Sequence, residues 1–291
     1  MEKVNCIFCG ESESTLYSNA TKNLNLIEPI GVRKCGNCRL IFLSPRPSQV
    51  ERDSIFSGIV PDSLKSYATQ IANYSSVTDS RKNYFADRVK EIERRFKLNK
   101  GCNVLDVGSS SGVFLEEANK KGWNSFGLEP SQVAYEKSIE KGLHVRHGIA
   151  ERLPFEDAFF DCVHSNHVFE HLNNPMDAIR EVFRVLKPGG HIFIEVPNQF
   201  RNIYFVRDEI FGRIPVRDRN LRSIHHLFFF SKRTLNKLGS EAGFEMIRVL
   251  DKYPKGRMGG VGSVFNHFMK LLGSIYGGGT SIQLIAMKPK S

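Results

Sequence analysis

The chain has 291 residues, of which 41% are hydrophobic and 25% charged, a composition that excludes disorder as its main state. No apolar run reaches the ~18 residues of a membrane-spanning helix and no secretory signal opens the sequence, so we expect a cytoplasmic protein. The net charge is +10, and residues 198–291 hold 16 Lys and Arg against 6 Asp and Glu. This excess favours an anionic partner: a phosphorylated small molecule, nucleic acid or a membrane surface. The alternative explanation is solubility.

The first predicted unit contains four cysteines in two C-x2-C pairs, Cys6 with Cys9 and Cys35 with Cys38. Each pair can form a knuckle, and four thiolates make the tetrahedral shell of a zinc site. Iron is the alternative metal, while disulfides are disfavoured in the cytosol. We predict a zinc ribbon over residues 1–45. Its closed shell implies a structural zinc ion, whose loss should disorder mainly this unit.

A helical linker or lid is predicted over residues 46–98. Its last part has apolar residues at helical spacing, which predicts an amphipathic helix over residues 80–96. These apolar residues are Tyr84, Phe85, Val89, Ile92 and Phe96.

From Gly101 onwards, short apolar segments alternate with amphipathic ones. Strands are predicted over residues 103–107, 124–129, 144–147, 160–165, 191–196, 244–250 and 281–288, and helices over 112–121, 131–141, 176–186 and 232–242. This alternation predicts an α/β fold with a Rossmann-like, seven-stranded, mostly parallel sheet and helices on both faces. We assign residues 99–291 to this domain, with inserts at 198–222 and 255–280, the second containing a helix-like segment.

The strongest chemical signal is the D-V-G-S-S-S-G segment from Asp106 to Gly112, at the first strand-to-helix turn. Glycines at such a turn let the backbone approach a ligand closely. Glu129 ends the next strand, where a carboxylate can hold the hydroxyls of a ribose. The segment resembles the first motif of the class I S-adenosylmethionine-dependent methyltransferases, with Ser110 in place of the middle glycine.

The resemblance extends over residues 80–290. Residues 148–155 resemble the adenine-side loop, with Ile149 where the family commonly has aspartate, and residues 160–172 resemble the fourth strand and its turn. The resemblance implies S-adenosylmethionine as cofactor. The residues implied to hold it are Arg81, Asp106, Gly108, Ser110, Gly112, Glu129, Pro130, Ala150, Glu151, Ser165 and Asn166.

Individual roles follow from the same resemblance. Asp106 is implied to orient the methionine amino group and Glu129 the ribose, while Ala150 and Glu151 flank the adenine. Ser165 and Asn166 are implied to lie near the methionine end. Arg81 is a candidate partner for the cofactor carboxylate, with a solvated helix-face arginine as the equal alternative.

The ribbon sequence resembles a narrower subgroup. Residues 6–10 and 35–47 are similar to those of bacterial methyltransferases in sugar, surface-polysaccharide and natural-product pathways, including nucleotide-sugar C-methyltransferases. The sugar C-methyltransferases carry a further C-terminal domain, which the sequence does not show after its last predicted strand. The subgroup therefore supports the substrate class only loosely.

Histidine is the natural general base near neutral pH. The candidates are His167, His171, His225 and His226, with His167 and His225 as first choices and a scaffold role as the alternative for each. The first insert contains six arginines, and guanidinium groups grip phosphate. From it, Tyr204, Arg217, Arg219 and Arg222 are the predicted acceptor contacts, with a solvated loop as the alternative.

These features predict an S-adenosylmethionine-dependent methyltransferase that acts on a small anionic acceptor, such as a nucleotide sugar, glycan or related metabolite, by O- or C-methylation. One alternative is an rRNA or tRNA methyltransferase whose ribbon contacts RNA, since the basic charge suits nucleic acid. Another is a non-catalytic, methyltransferase-like binding protein.

Overall fold

A computed structural model describes residues 2–18, 31–56, 81–199, 226–253 and 278–290. The insert residues 200–222 and the helix-like segment 264–276 lie outside these ranges.

The N-terminal part forms a small antiparallel sheet. Strands β1 (Ser14–Ser18), β2 (Val32–Cys35) and β3 (Ile41–Leu43) pair in chain order. Its fourth strand, β9 (Phe228–Phe229), comes from late in the chain and pairs antiparallel with β3. Cys6 and Cys9 precede β1, whereas Cys35 ends β2 and Cys38 lies in the turn between β2 and β3.

The remaining elements build an α/β layer structure. The helices are α1 (Gln49–Phe56), α2 (Lys82–Phe96), α3 (Val113–Asn119), α4 (Gln132–Glu140), α5 (Pro175–Val185) and α6 (Lys232–Glu241). The strands are β4 (Asn103–Val107), β5 (Asn124–Glu129), β6 (Val145–His147), β7 (Phe160–Asn166), β8 (Leu186–Pro197), β10 (Glu245–Lys252) and β11 (Ser281–Met287).

These seven strands form one sheet in the order β10-β11-β8-β7-β4-β5-β6. The five strands β8, β7, β4, β5 and β6 run parallel to one another, while β11 is antiparallel to both β8 and β10. The order reverses between β4 and β7, and ligands of open α/β sheets bind beyond the carboxyl ends of the strands at such a reversal. The predicted fold class is confirmed.

Both faces of the sheet are covered. Leu105 and Val163 belong to one apolar cluster, whereas their neighbours Val104 and Cys162 belong to another. Since successive residues of a strand point to opposite faces, the two clusters lie on opposite sides. The first cluster includes α5, α6 and the N-terminal sheet, and the second includes α2 and α3.

Local signals explain where the helices begin and end. Ser131, Asn174 and Ser231 cap α4, α5 and α6 by accepting backbone hydrogen bonds, which satisfies amides that have no partner within the helix. Gly243 follows α6 with φ +90°, a conformation that favours glycine. Helix α6 therefore begins after a capping side chain and is followed by a glycine in the left-handed conformation.

One strand is longer than its sequence predicts. Strand β8 begins at Leu186, which pairs with Phe160, rather than at the expected His191. The register then shifts so that Cys162 pairs with His191, and Gly189 adopts φ +78° within the extra residues. A glycine-containing bulge thus joins the end of α5 to the sheet without a separate turn.

The predicted boundary near residue 45 remains a prediction, but the described residues on its two sides are closely connected. Phe42 pairs with Phe228, and the amide of Leu43 donates to the carbonyl of Leu227 over 3.0 Å. Cys35 and Leu40 share a continuous apolar cluster with residues of β7, β8 and α5. The ribbon is therefore packed as part of the main core.

Candidate functional site

The turn after β4 brings together most of the residues predicted to bind a cofactor. The amides of Gly108 and Ser109 donate to the carbonyl of Leu128, which joins the turn to the end of β5. The Glu129 carboxylate is buried and accepts from the amides of Ser110, at 2.8 Å, and Ser131, at 2.9 Å. Each carboxylate oxygen can accept a further hydrogen bond, so hydroxyl donors fit this site.

Burial raises the pKa of Glu129, and the two amide hydrogen bonds oppose that shift. Asp106 lies buried on the neighbouring strand. Two buried carboxylates at the ends of adjacent parallel strands match a ligand that carries an ammonium group and ribose hydroxyls. The donor set is thus compatible with S-adenosylmethionine.

Packing within the protein, in addition to any ligand, requires glycine at positions 108 and 112. Gly108 and Gly112 adopt φ +76° and +81°, and a Cβ atom would lie 2.3 Å from Val168 Cγ2 at the first and 2.1 Å from Leu143 Cδ1 at the second. Ser110, in place of the expected middle glycine, also adopts a left-handed φ, +49°. Serine therefore tolerates the conformation that the motif demands, at a cost of about 1–2 kcal/mol.

Gly108→Ala is expected to destabilise the protein more than Gly142→Ala. Both glycines have a left-handed φ, but a Cβ atom at Gly142 would meet nothing within 4 Å. Overpacking against Val168 should add about 1–3 kcal/mol to the strain that the two variants share. Urea unfolding of the two variants measures the difference, and equal losses would show that Val168 simply moves aside.

Beneath the turn, Asp106 takes part in a buried polar network that sequence reasoning missed. Its Oδ1 lies 2.7 Å from Nδ1 of His164, which occupies the paired position on β7. His164 Nε2 faces Nη1 of Arg88 at 3.3 Å, and Arg88 also forms a buried ion pair with Glu195. Tyr84 Oη accepts from Arg88 Nη2 at 2.7 Å. The network therefore connects α2 to strands β4, β7 and β8.

The partners of His164 define its tautomer. Because Arg88 can only donate, Nε2 of His164 must accept, and Nδ1 carries the proton that is donated to Asp106. Burial lowers the pKa of His164, which keeps the ring neutral, as this arrangement requires. Burial opposes ionisation of Glu195, but the Arg88 guanidinium prevails and lowers its pKa to about 2.

The neutral state of His164 predicts a pH-dependent stability. Its pKa in the folded protein lies below the ordinary 6.5, so the unfolded chain binds more protons as the pH falls. Stability is therefore complete above about pH 6.5 and is lost as the pH falls through the folded pKa, with a slope of at most about 1.4 kcal/mol per pH unit.

Urea unfolding between about pH 8 and pH 5 measures this dependence. The His164→Gln variant should show a smaller loss than the unmodified protein over that window. Burial also lowers the pKa of His191, so the difference between the two proteins is the informative quantity. If the free energies of unfolding of the two proteins fell equally with pH, the pH dependence could not be assigned to His164.

The other predicted cofactor residues are spread around the same strand ends. Ala150 is buried, Ile149 is exposed, and Glu151 Oε1 accepts from the amides of Asn173 and Asn174, which holds the start of α5. Ser165 is buried and donates to the carbonyl of Val107 over 3.1 Å. Its hydroxyl thus links strands β7 and β4.

Three further predicted residues lie near this set. Asn166 Oδ1 accepts from Tyr84 over 2.9 Å, which places it beside α2. Arg81 is half-buried at the N-terminus of the same helix. The carbonyl of Pro130 lies 2.9 Å from His147 Nε2. Their roles toward a cofactor remain proposals.

Three of the four candidate histidines are described: His167 and His171 follow β7, and His226 precedes β9. His167 has φ +57°, and its Nδ1 lies 3.3 Å from Oε1 of Glu170 and its Nε2 4.0 Å from Oε1 of Glu195. The rings of His171 and His226 meet edge to face with centroids 4.7 Å apart. A strained backbone at a strand end is a frequent feature of functional sites.

The remaining acceptor candidates fall outside the described residues. These are His225, Tyr204, Arg217, Arg219 and Arg222.

The four ribbon cysteines converge on one point. Cys6 Sγ lies 3.3 Å from Cys38 Sγ, and Cys9 Sγ lies 3.6 Å from Cys35 Sγ. All four sulfur atoms lie within 4.8 Å of one another. A tetrahedral zinc ion with bonds of about 2.3 Å would hold its sulfurs about 3.8 Å apart. The spacing fits a metal ion and is too long for disulfides.

Comparisons with known proteins identify the family of the α/β domain. The sequence profile of a family described as "Methyltransferase domain" matches residues 79–249. The chain is 32% identical over 127 residues to a ubiquinone biosynthesis O-methyltransferase of Pseudomonas fluorescens, covering 40% of this chain and 53% of that protein. It is 30% identical over 153 residues to a malonyl-[acyl-carrier protein] O-methyltransferase of Marinomonas sp., covering 48% and 57%.

The matched part therefore spans only about half the length of these curated relatives. Among solved structures, phosphoethanolamine N-methyltransferase 2 of Haemonchus contortus in complex with S-adenosyl-L-methionine superposes with a TM-score of 0.56 and 14% identity. The match covers 86% of this chain and 63% of that one, and at this identity it shows the fold alone. Within the described residues, no helix has the length and apolarity needed to cross a membrane.

Proposed function

The chain belongs to the methyltransferase-domain family, and we propose that it transfers the methyl group of S-adenosylmethionine to a small anionic acceptor, such as a nucleotide sugar, glycan or related metabolite. The cofactor would be held by Asp106 and Glu129 together with the backbone of the turn from Gly108 to Gly112. When bound, it supplies an electrophilic methyl group. The protein must then position the acceptor and accept its proton.

The observation that supports transfer chemistry is the contact between the turn predicted to hold the cofactor and the loop that carries His167. Val168, which follows His167, occupies the space against Gly108 where a side chain would otherwise lie. The histidine-bearing loop therefore packs directly on the turn predicted to hold the cofactor. His167, flanked by the carboxylates of Glu170 and Glu195, is our candidate for the group that takes the acceptor's proton.

An anionic acceptor is favoured by the position of the arginine-rich insert. In the sequence it lies between β8 and His226, whose ring is 4.7 Å from that of His171 on the loop after β7. We call the surface formed by this loop and His226 the acceptor side of the sheet. Six arginines within residues 201–222 are opposed by three acidic residues. We propose that they grip the phosphate groups of the acceptor.

We also propose that Cys6, Cys9, Cys35 and Cys38 hold a structural zinc ion. Their thiols are free to ligate, and such a site persists where thiols stay reduced, which is consistent with the cytoplasm. Zinc bound by four thiolates has no open position, so its contribution would be to the fold around β9.

Asp106→Ala and Glu129→Ala are each expected to weaken binding of S-adenosylmethionine by about 1–3 kcal/mol. Each replacement removes a buried acceptor and leaves its polar neighbours without a partner. Isothermal titration with S-adenosylmethionine measures the change. Glu136→Ala, which alters an exposed carboxylate on α4, is the control and should bind like the unmodified protein. No binding by the unmodified protein would support the non-catalytic alternative.

The acceptor is tested by a transfer assay with methyl-labelled cofactor. Nucleotide sugars, other phosphorylated metabolites and RNA form the panel. Labelling of a small anionic metabolite is the expected result. Labelling of RNA alone, accompanied by salt-sensitive RNA binding, would overturn the acceptor class and favour the nucleic-acid alternative.

A further inference from the structure

Three side chains with metal-binding atoms meet on the acceptor side of the sheet, well apart in sequence from the ribbon cysteines. We call Glu170, His171 and His226 the acceptor-side triad. One ligand atom of each lies within 4.8 Å of the others. Ligands around a divalent ion, with bonds of about 2.1 Å, lie at most about 4.2 Å apart. Small side-chain rotations would therefore complete coordination.

The Glu170 carboxylate is the feature that most needs an explanation. The residue is fully buried, and among the described residues neither of its side-chain oxygens accepts a hydrogen bond. The nearest cationic candidates are His167 Nδ1 at 3.3 Å and His171 Nε2 at 3.8 Å, beyond the usual length of a charge-assisted hydrogen bond. A buried carboxylate without such partners is costly, and a bound cation removes that cost.

The backbone holds the triad in place. The carbonyl of Glu170 accepts hydrogen bonds from the amides of Leu227, at 2.7 Å, and Phe228, at 3.1 Å. His226 precedes this anchor and is brought against His171, with the ring centroids 4.7 Å apart. Since Phe228 belongs to β9, the anchor is itself fixed by the ribbon sheet. Two segments distant in sequence are thus joined with their imidazoles beside one carboxylate.

We propose that Glu170, His171 and His226 bind a divalent transition-metal cation. Two imidazoles and one carboxylate suit such ions and leave coordination positions open. This set differs from the ribbon, whose four thiolates close the shell. The nearby contact between Val168 and Gly108 places the triad's loop against the cofactor turn.

The role of the ion rests on the proposed methyl transfer. An acceptor hydroxyl bound at an open position would lose its proton more readily, as water does on zinc. That proton would pass to His167 or solvent, the oxygen would form a bond to the methyl carbon, and the carbon–sulfur bond would break to leave S-adenosylhomocysteine.

The test is a titration of the full chain with Mn²⁺, followed by calorimetry and by the loss of the free-ion EPR signal. The ribbon metal is retained, and neither cofactor nor acceptor is present. We expect one Mn²⁺ per chain. Glu170→Gln and His171→Ala should each weaken binding at least about tenfold. The matched controls Glu245→Gln and His144→Ala alter exposed side chains and should bind like the unmodified protein.

Circular dichroism establishes that each variant is folded, and His171→Gln replaces Glu170→Gln if the latter fails. Absence of Mn²⁺ binding, or equal binding by the folded triad variants, would overturn the proposal. A parallel titration with S-adenosylhomocysteine separates this outcome from failure of the proposed function. Cofactor binding without Mn²⁺ binding would reject only the metal site.

Discussion

Cys35→Ser is expected to release the zinc ion proposed for the ribbon and to loosen β9 as well as the N-terminal sheet. A structural zinc ion contributes roughly 10–16 kcal/mol of apparent binding free energy, more than so small a sheet can replace. Strand β9 depends on β3 for its pairing, and Leu227 receives a hydrogen bond from Leu43. Hydrogen exchange followed by mass spectrometry should therefore show faster exchange at residues 226–230 together with residues 31–46.

Cys102→Ser, which alters a cysteine outside the ribbon, is the control and should change neither metal content nor exchange. The sequence alone suggested that metal loss would disorder mainly residues 1–45, whereas the pairing with β9 extends the expected effect to the acceptor side. Rapid exchange confined to the first 45 residues would favour the narrower expectation. Elemental analysis that finds no metal in the reduced, unmodified protein would contradict both expectations, because each assumes a bound metal.

Arg88→Met is expected to lower the free energy of unfolding by about 3–5 kcal/mol, because it leaves the carboxylate of Glu195 buried without its cation. Arg88 is one of the largest fully buried side chains. Its loss also removes the donor to His164, so S-adenosylhomocysteine should bind more weakly. Urea unfolding and calorimetric titration measure the two effects.

Arg95→Met is the matched control, on the same helix. Arg95 pairs with Glu91 near the surface, and such pairs contribute about 0.3–0.5 kcal/mol. The double variant Arg88→Met with Glu195→Gln should recover part of the stability, since no unpaired charge stays buried. A loss as small as that of the control would show that solvent reaches Glu195.

Much of the sheet could be predicted from local sequence. Strands β4 and β5 have the predicted bounds, since each is a short apolar segment between polar or glycine-containing turns. Helix α6 begins after Ser231 because its side chain supplies a cap. The cofactor turn was recognisable because its carboxylates and glycines stand at fixed spacing along the chain.

The polar network could not be predicted, because its members signal their roles only in three dimensions. His164 lies within an apolar strand and Arg88 within an amphipathic helix, and neither position indicates a buried polar contact from the sequence alone. Their contacts with Asp106 and Glu195 depend on strand register. Glu170 could not be recognised because nothing in the sequence distinguishes this fully buried carboxylate from an exposed one.

Strand β9 illustrates a second limit. Two phenylalanines are too short a segment for strand periodicity to be visible, and their partner β3 lies near the other end of the chain. The hydrophobic run at residues 227–230 indicates burial, but it does not say against what. Only the folded chain shows that the run lies against the ribbon.

The long separation between β3 and β9 also has a consequence for synthesis on the ribosome. Phe42 leaves the ribosome early, but its partner Phe228 is made only after most of the chain. Pairings this distant in sequence form slowly, and domains generally fold as they emerge. The edge of β3 in the nascent ribbon must therefore stay unpaired until residues 228 and 229 have been made, and during that interval it can pair with a strand of another chain.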